Sequence, residues 1–230
     1  MTGASHADAG TGRGRAQLTR EAIVDAALAL ADDGGLGAVT MRRLGSRLGV
    51  DPMTIYRHFR SKDDVLEAIV DRALGGVAEP APTGEDWLTR LREVVRRFRA
   101  ALLAHPAVAP LAASRVWFGE NSLAGIESML AVLRGAGLGD AEAVRAYQAL
   151  VCYTIGFVTI EAPMAALPSE QAAERARAAG LAYESLPASR FPNTVAMAGQ
   201  LSRIGASDEF EPGLDLLLQG LARQREARRS

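Results

Sequence analysis

At 230 residues, with 48% apolar and 23% charged side chains, the chain has the balance of a globular protein with room for a small domain joined to a larger one. A net charge of −1 excludes a basic field over the whole molecule, so any nucleic-acid footprint has to be local. A single cysteine, Cys152, excludes an intrachain disulfide framework, and together with the lack of an apolar leader it points to a reducing cytoplasm.

Residues 1–17 are small, polar and glycine-rich and read as a disordered arm. From Thr19, apolar residues at Ile23, Ala26, Ala27 and Leu30 make the stripe of an amphipathic helix, capped by Thr19 and ended by Gly34–Gly35. Thr40 caps a short helix that buries Leu44 and Leu48 before Gly49. Asp51 caps the next, with Pro52 in the first turn, where its missing N–H costs nothing, and Ile55 and Phe59 facing inward. Ser61 starts a fourth, with Asp63 and Asp64 in its first turn, running to about Leu74.

The Gly- and Pro-bearing stretch 75–84 marks the expected boundary between a domain at 18–74 and a second at 75–230. Beyond it, apolar spacing predicts helices over 86–104, 107–118, 121–135, 140–161 and 168–185, a looser segment at 190–204, and a last helix at 209–226. Aromatic residues are few and no alternating strand pattern occurs, so the expected fold class is all-α. No run of about 18 consecutive apolar residues is present, and no membrane partner is expected.

The two short helices that meet at Gly49–Val50 have the spacing of a helix-turn-helix, in which the first helix braces and the second enters the major groove. Between Thr40 and Lys62 stand Arg42, Arg43, Arg47, Arg57, Arg60 and Lys62 against a single acid, Asp51. A phosphate backbone requires a local excess of this kind. Arg13 and Arg15 in the arm are read as solvated, with insertion into a minor groove as the alternative.

The stretch "LTREAIVDAALALADDGGLGAVTMRRLGSRLGVDPMTIYRHFRSKDDVLEAIVD" resembles the N-terminal domain of the TetR family of bacterial regulators, most specifically in "LGVDPMTIYRHFRSKDDVL". Near the C-terminus "FEPGLDLLLQGL" resembles the closing helix of the tetracycline-repressor subgroup, as "RFRAALLAHP" and "YTIGFV" do more loosely. The resemblance implies a DNA face made of Thr40, Arg42, Pro52, Met53, Thr54, Tyr56, Arg57, His58 and Lys62. Thr40, Tyr56, His58 and Lys62 would hold phosphates, Arg42 would reach a guanine, and Met53 would press on a thymine methyl. Arg57 is left open between a base and the backbone.

The resemblance also implies a ligand-sensing and dimerising half. Two helices per subunit would build a four-helix interface, the candidates being the 140–161 helix with Tyr147, Val151 and Phe157 and the last helix with Phe210, Leu214, Leu217, Leu218 and Leu221. A pocket for a small, apolar molecule is expected among Trp87, Phe98, Arg115, Trp117, Phe118, Asn121, Thr154 and Glu161. Tetracycline-binding members use histidine and asparagine around a magnesium-chelated drug. Here the domain has only His105, and Val94 stands where that asparagine is expected, which argues against tetracycline.

The expected molecule is therefore a homodimer that represses transcription from a palindromic double-stranded DNA operator and is released by a small-molecule effector. The alternative is a DNA-binding or architectural factor without an effector, and a solid core after Gly84 would favour it. An enzyme is not expected: no nucleophile elbow, phosphate loop or metal-ligand spacing occurs, and His6, His58 and His105 are scattered. No cofactor and no metal are assigned.

Overall fold

Four short polar side chains start the first helices. Thr19 accepts a hydrogen bond from Ala22 N at 3.1 Å, Thr40 from Arg43 N at 3.2 Å, Asp51 from Met53 N at 2.7 Å and Ser61 from Asp64 N at 3.1 Å. In the computed structural model, which describes residues 18–78, 86–114 and 117–227, these caps begin α1 (Arg20–Gly34), α2 (Met41–Leu48), α3 (Pro52–Ile55) and α4 (Lys62–Ala73). Gly49 joins α2 to the α3 cap in the left-handed region (φ 67°), which a side chain would resist. Ile23, Ala27, Leu44, Ile55, Phe59, Val65 and Ile69 are all at most 1% exposed and form the small core between these helices. The expected N-terminal arm, with Arg13 and Arg15, lies outside the described residues.

Asp86 accepts from Leu88 N and Thr89 N and opens α5 (Trp87–Ala104). There follow α6 (Val108–Ser114), α7 (Glu120–Gly135) and α8 (Asp140–Ala165). Next come α9 (Ser169–Glu184), the short α10 (Pro192–Ala196) and α11 (Ala198–Leu201), and the closing α12 (Phe210–Ala227). Among the described residues there is no strand.

Helix α8 is the axis of the larger half: α5, α6, α7 and α12 all pack on it. It is long and apolar enough to cross a membrane by length and composition, yet Leu150, Thr154, Val158 and Glu161 face protein. Helices α9, α10 and α11 pack chiefly on one another. Helix α4 packs on α1 and also on α5, α6 and α7, joining the two halves.

Three expectations shift. The helix expected over 107–118 stops at Ser114 among the described residues, because Gly119, extended at ψ 157°, starts α7 afresh and takes Trp117 and Phe118 out of the helix. Helix α8 runs on to Ala165 and carries Pro163 in its last turn, where only one ladder hydrogen bond is lost. The looser segment at 190–204 contains the two short helices α10 and α11.

One polar cluster fastens the closing helix. Arg99 on α5 forms a forked ion pair with Glu161 of α8, 1% exposed, and its guanidinium also donates to Ser207 O at 3.2 Å and covers the Phe210 ring at 4.4 Å. Tyr153 donates its hydroxyl to Phe210 O at 2.7 Å. Beside them Arg96, chiefly, and Arg92 hold the Glu211 carboxyl below the usual range by hydrogen bonding. Arg99→Met leaves the Glu161 carboxylate buried without its partner. It is expected to cost about 3–5 kcal/mol of stability in urea unfolding at fixed protein concentration. Glu161→Gln keeps hydrogen bonding and should cost less.

Candidate DNA-reading face and effector cavity

The helix-turn-helix presents one exposed edge. Met53, 69% exposed, and Tyr56, 45% exposed, project from α3 and the turn after it, far more open than large apolar or aromatic side chains in a settled core. Arg42, Arg43, Arg57 and Lys62 are exposed, while Thr54 and His58 are half-buried. Pro52 opens α3 and Thr40 caps α2 through Arg43 N, as expected of both.

The short α3 is braced from behind. Arg20 of α1 donates to His58 O at 2.9 Å and stacks over Phe59 at 4.0 Å. Lys62 donates to Leu36 O at 3.3 Å. Arg47 pairs with Asp33 at 3.0 Å, which ties α2 to α1. Arg20 was not singled out from the sequence, because its contact spans 38 positions and leaves no local pattern.

In the larger half a cavity of about 720 Å³ lies between α5, α6, α7 and α8 and the segment that follows α4. Phe98, Trp117, Ile126, Met129, Tyr147 and Ile155 supply most of its apolar wall. Its polar groups are Asn121, Ser122, Tyr147, Cys152 and Thr159, with no Asp, Glu, His, Lys or Arg among the described lining residues. Burial pushes the Tyr147 phenol up, so at neutral pH it is a neutral hydroxyl. The Thr159 hydroxyl already donates to Ile155 O at 2.8 Å.

Of the expected pocket residues, Phe98, Trp117 and Asn121 line the cavity. Trp87 does not: it lies half-buried under the Arg225 guanidinium at 5.5 Å. Phe118 does not either: it is 70% exposed in the non-helical segment before α7. Thr154 is fully buried and donates to Leu150 O, and Glu161 is taken by Arg99. Arg115 lies outside the described residues. Val94, 1% exposed, is core, and His105 pairs with Asp32 at 2.9 Å rather than entering the cavity.

Missed from the sequence as cavity lining were Leu74 and Val77 after α4, Ala112 and Ala113 on α6, Ser122, Gly125, Ile126 and Met129 on α7, and Cys152, Ile155, Gly156 and Thr159 on α8. Only the small residues among them carried a signal, since glycine and cysteine on a long apolar helix leave space beside it.

The expected interface residues divide. Tyr147 and Val151 line the cavity. Phe210, Leu214 and Leu218 are at most 2% exposed within the subunit, because Arg99, Tyr153 and Phe157 pull this side of α12 onto α5 and α8. Phe157 meets the Phe210 ring edge-on at 5.2 Å. Leu217 and Leu221 are half-buried, and the open apolar groups are Leu216 on α12, 73% exposed, and Val144 and Ile160 on α8, 44% and 50% exposed.

Comparison with known proteins agrees with this geometry. Residues 23–69 match the family described as bacterial regulatory proteins, tetR family, and residues 79–225 match the tetracyclin repressor-like C-terminal domain. An HTH-type transcriptional regulator of Saccharopolyspora erythraea is 38% identical over 144 residues, 63% of this chain and 61% of its own, so the chain spans about three-fifths of that relative. The tetracycline repressor protein class C of Escherichia coli is 31% identical over 215 residues, 91% of this chain and 93% of its own. The TetR family protein ActR of Streptomyces coelicolor, solved in complex with actinorhodin, superposes with a TM-score of 0.81 at 32% identity, covering 90% of this chain and 96% of that one. With one family match over the helix-turn-helix and the other over the cavity-bearing half, the chain belongs to the TetR family of bacterial transcriptional regulators.

Proposed function

We propose that the chain is a cytoplasmic homodimer that represses transcription from a two-fold DNA operator and is released by a neutral, largely apolar small molecule. Residues 18–74 would read DNA, and residues 75–230 would sense the effector and dimerise. The observation that carries the effector is the 720 Å³ cavity, well within the roughly 300–1,000 Å³ of small-molecule sites. A solid core would have favoured a factor without an effector. The binding of actinorhodin by ActR supports the same reading.

The chemistry of the wall narrows the ligand. A charged molecule would meet no ionic partner among the described lining residues, which favours an uncharged one. A chelated magnesium ion would find no carboxylate or imidazole there. The described lining thus suits an uncharged effector held without a metal, with hydrogen-bonding groups for Asn121 and Tyr147. Binding would favour a dimer whose α3 helices no longer match successive major grooves. Regulation of this kind asks for no catalytic group.

Two copies would meet through the open faces of α8 and α12, which carry Val144 and Leu216, with Tyr147, Val151, Leu217 and Leu221 alongside. Leu216→Glu places a charge there without touching the subunit core and is expected to give monomers in sedimentation. A variant that stays dimeric moves the interface elsewhere.

DNA reading is tested by fluorescence anisotropy on a sequence selected from random DNA by the protein itself. Arg42→Ala should lose about 1–3 kcal/mol and relax preference at one base pair. Tyr56→Phe should lose about 1 kcal/mol, and Lys62→Ala should lower the salt slope by about one. Wild-type affinity in all three would displace the proposed face.

Ile126→Trp fills the cavity from α7. It should abolish binding of the neutral dye Nile red, followed by its fluorescence, while DNA affinity stays within about threefold of wild type, or 0.7 kcal/mol. Unchanged dye binding would place the effector site outside this cavity.

A further inference from the structure

We propose that Asp71 couples the cavity to the DNA-reading domain by capping α7 from outside, and that an effector loosens DNA binding by competing for that cap. The proposal rests on the effector-released reading above and adds the residue through which release is transmitted.

Helix α7 begins without a cap of its own. Its N-cap position is Gly119, which has no side chain, so the first N–H groups of the helix need an acceptor from elsewhere. Asp71, in the last turn of α4, supplies it. Its Oδ1 accepts from Ser122 N at 2.9 Å and from the Ser122 hydroxyl at 3.2 Å, and its Oδ2 accepts from Asn121 Nδ2 at 3.3 Å. A carboxylate at this end of a helix is also favoured by the helix dipole. The approach is close enough to exclude any side chain at Gly119, where a Cβ would fall 2.2 Å from Asp71 Oδ1.

This contact stands at the wall of the cavity. Asn121 and Ser122 line the cavity, and Asn121 with Asp71 also lines a second hollow of about 540 Å³ between α1 and α4. The Asn121–Asp71 pair is thus a partition between them. Leu74 and Val77, just past Asp71, face the same cavity. On the other side Arg72 pairs with Asp25 of α1 at 3.0 Å, so a shift of α4 is passed to α1 and from there through Arg20 to the turn after the recognition helix. An effector that accepts a hydrogen bond from the Asn121 amide, or lifts Ser122, takes donors from Asp71. α4 is then free to pivot, and the coupling is the effector's differential affinity for the capped and uncapped states.

The test measures reciprocal coupling, with Nile red as the cavity probe and the self-selected DNA as operator. Dye affinity is determined with and without DNA, and DNA affinity with and without dye. In the wild type, DNA should weaken dye binding about fivefold or more, and dye should weaken DNA binding by the same factor. Asp71→Ala should keep dye affinity near wild type while the coupling factor falls to about one. Asp71→Leu, of similar size and without an acceptor, should also bring the factor to about one and covers the case in which Asp71→Ala fails to fold. His105→Ala is the control: it breaks another contact between the halves, His105 with Asp32, away from the cavity lining, and should leave the coupling intact.

Wild-type coupling in Asp71→Ala, or in Asp71→Leu where the alanine variant does not fold, overturns the proposal. So does equal loss of coupling in His105→Ala, which would mean that any contact between the halves serves. No coupling in the wild type itself overturns the effector-released reading, and the proposal with it.

Discussion

Helix α4 has to satisfy two sets of neighbours at once. Its first turn, capped by Ser61 and Asp64, follows directly on Phe59, whose burial anchors the recognition helix. Its last turn carries Asp71, which holds the start of α7. Val65, Ile69 and Val70 are fully buried between these ends, so the helix moves as one body or not at all. A recognition helix of four residues has no stability alone, since isolated helices of fewer than about 12 residues are marginal in water. Its position is set by what it packs on, and α4 is a large part of that.

Much of the DNA-reading half was legible in the sequence because its determinants are local. Thr19, Thr40, Asp51 and Ser61 each bond within three residues of themselves, so a cap can be read from a short window. The left-handed Gly49 and the basic run from Arg42 to Lys62 are equally short-range. What the sequence did not disclose is the bracing. Arg20 reaches His58 and Asp71 reaches Ser122 across 38 and 51 positions, and nothing about an arginine or an aspartate says which distant backbone it will hold.

The cavity was less legible for a related reason. A cavity is space that packing leaves, and its wall is drawn from whichever faces of four helices fail to meet. Large side chains were a poor guide: Trp117 and Phe98 line it, but Trp87 and Phe118 do not. Phe118 and its neighbour Trp117 lie in the same non-helical segment before α7, yet one is 70% exposed and the other 6%. Thr154 and Glu161 were polar residues on an apolar helix, and such residues fit a ligand site and a satisfied interior equally well. Here the interior has them, in bonds to Leu150 O and to Arg99.

Helix α8 shows why the dimer surface and the cavity were hard to tell apart. It is apolar around nearly its whole circumference, so periodicity gives it no single inner face. In the fold it is shared among several neighbours. Ala146, Leu150, Thr154 and Val158 face the core, Tyr147, Val151, Ile155 and Thr159 face the cavity, Tyr153 and Phe157 face α12, and Val144 stays open. The cavity strip includes Cys152 and Gly156, which are exposed, so the cavity reaches the surface on the side of α8 that a second copy would approach. Two copies joined through α8 would therefore alter the mouth of each cavity, and an effector that reshapes the mouth would alter the pairing. By linkage these are one free energy seen from two sites. An interface built beside the binding site lets a single helix answer both to the ligand and to the partner that sets the spacing of the two recognition helices.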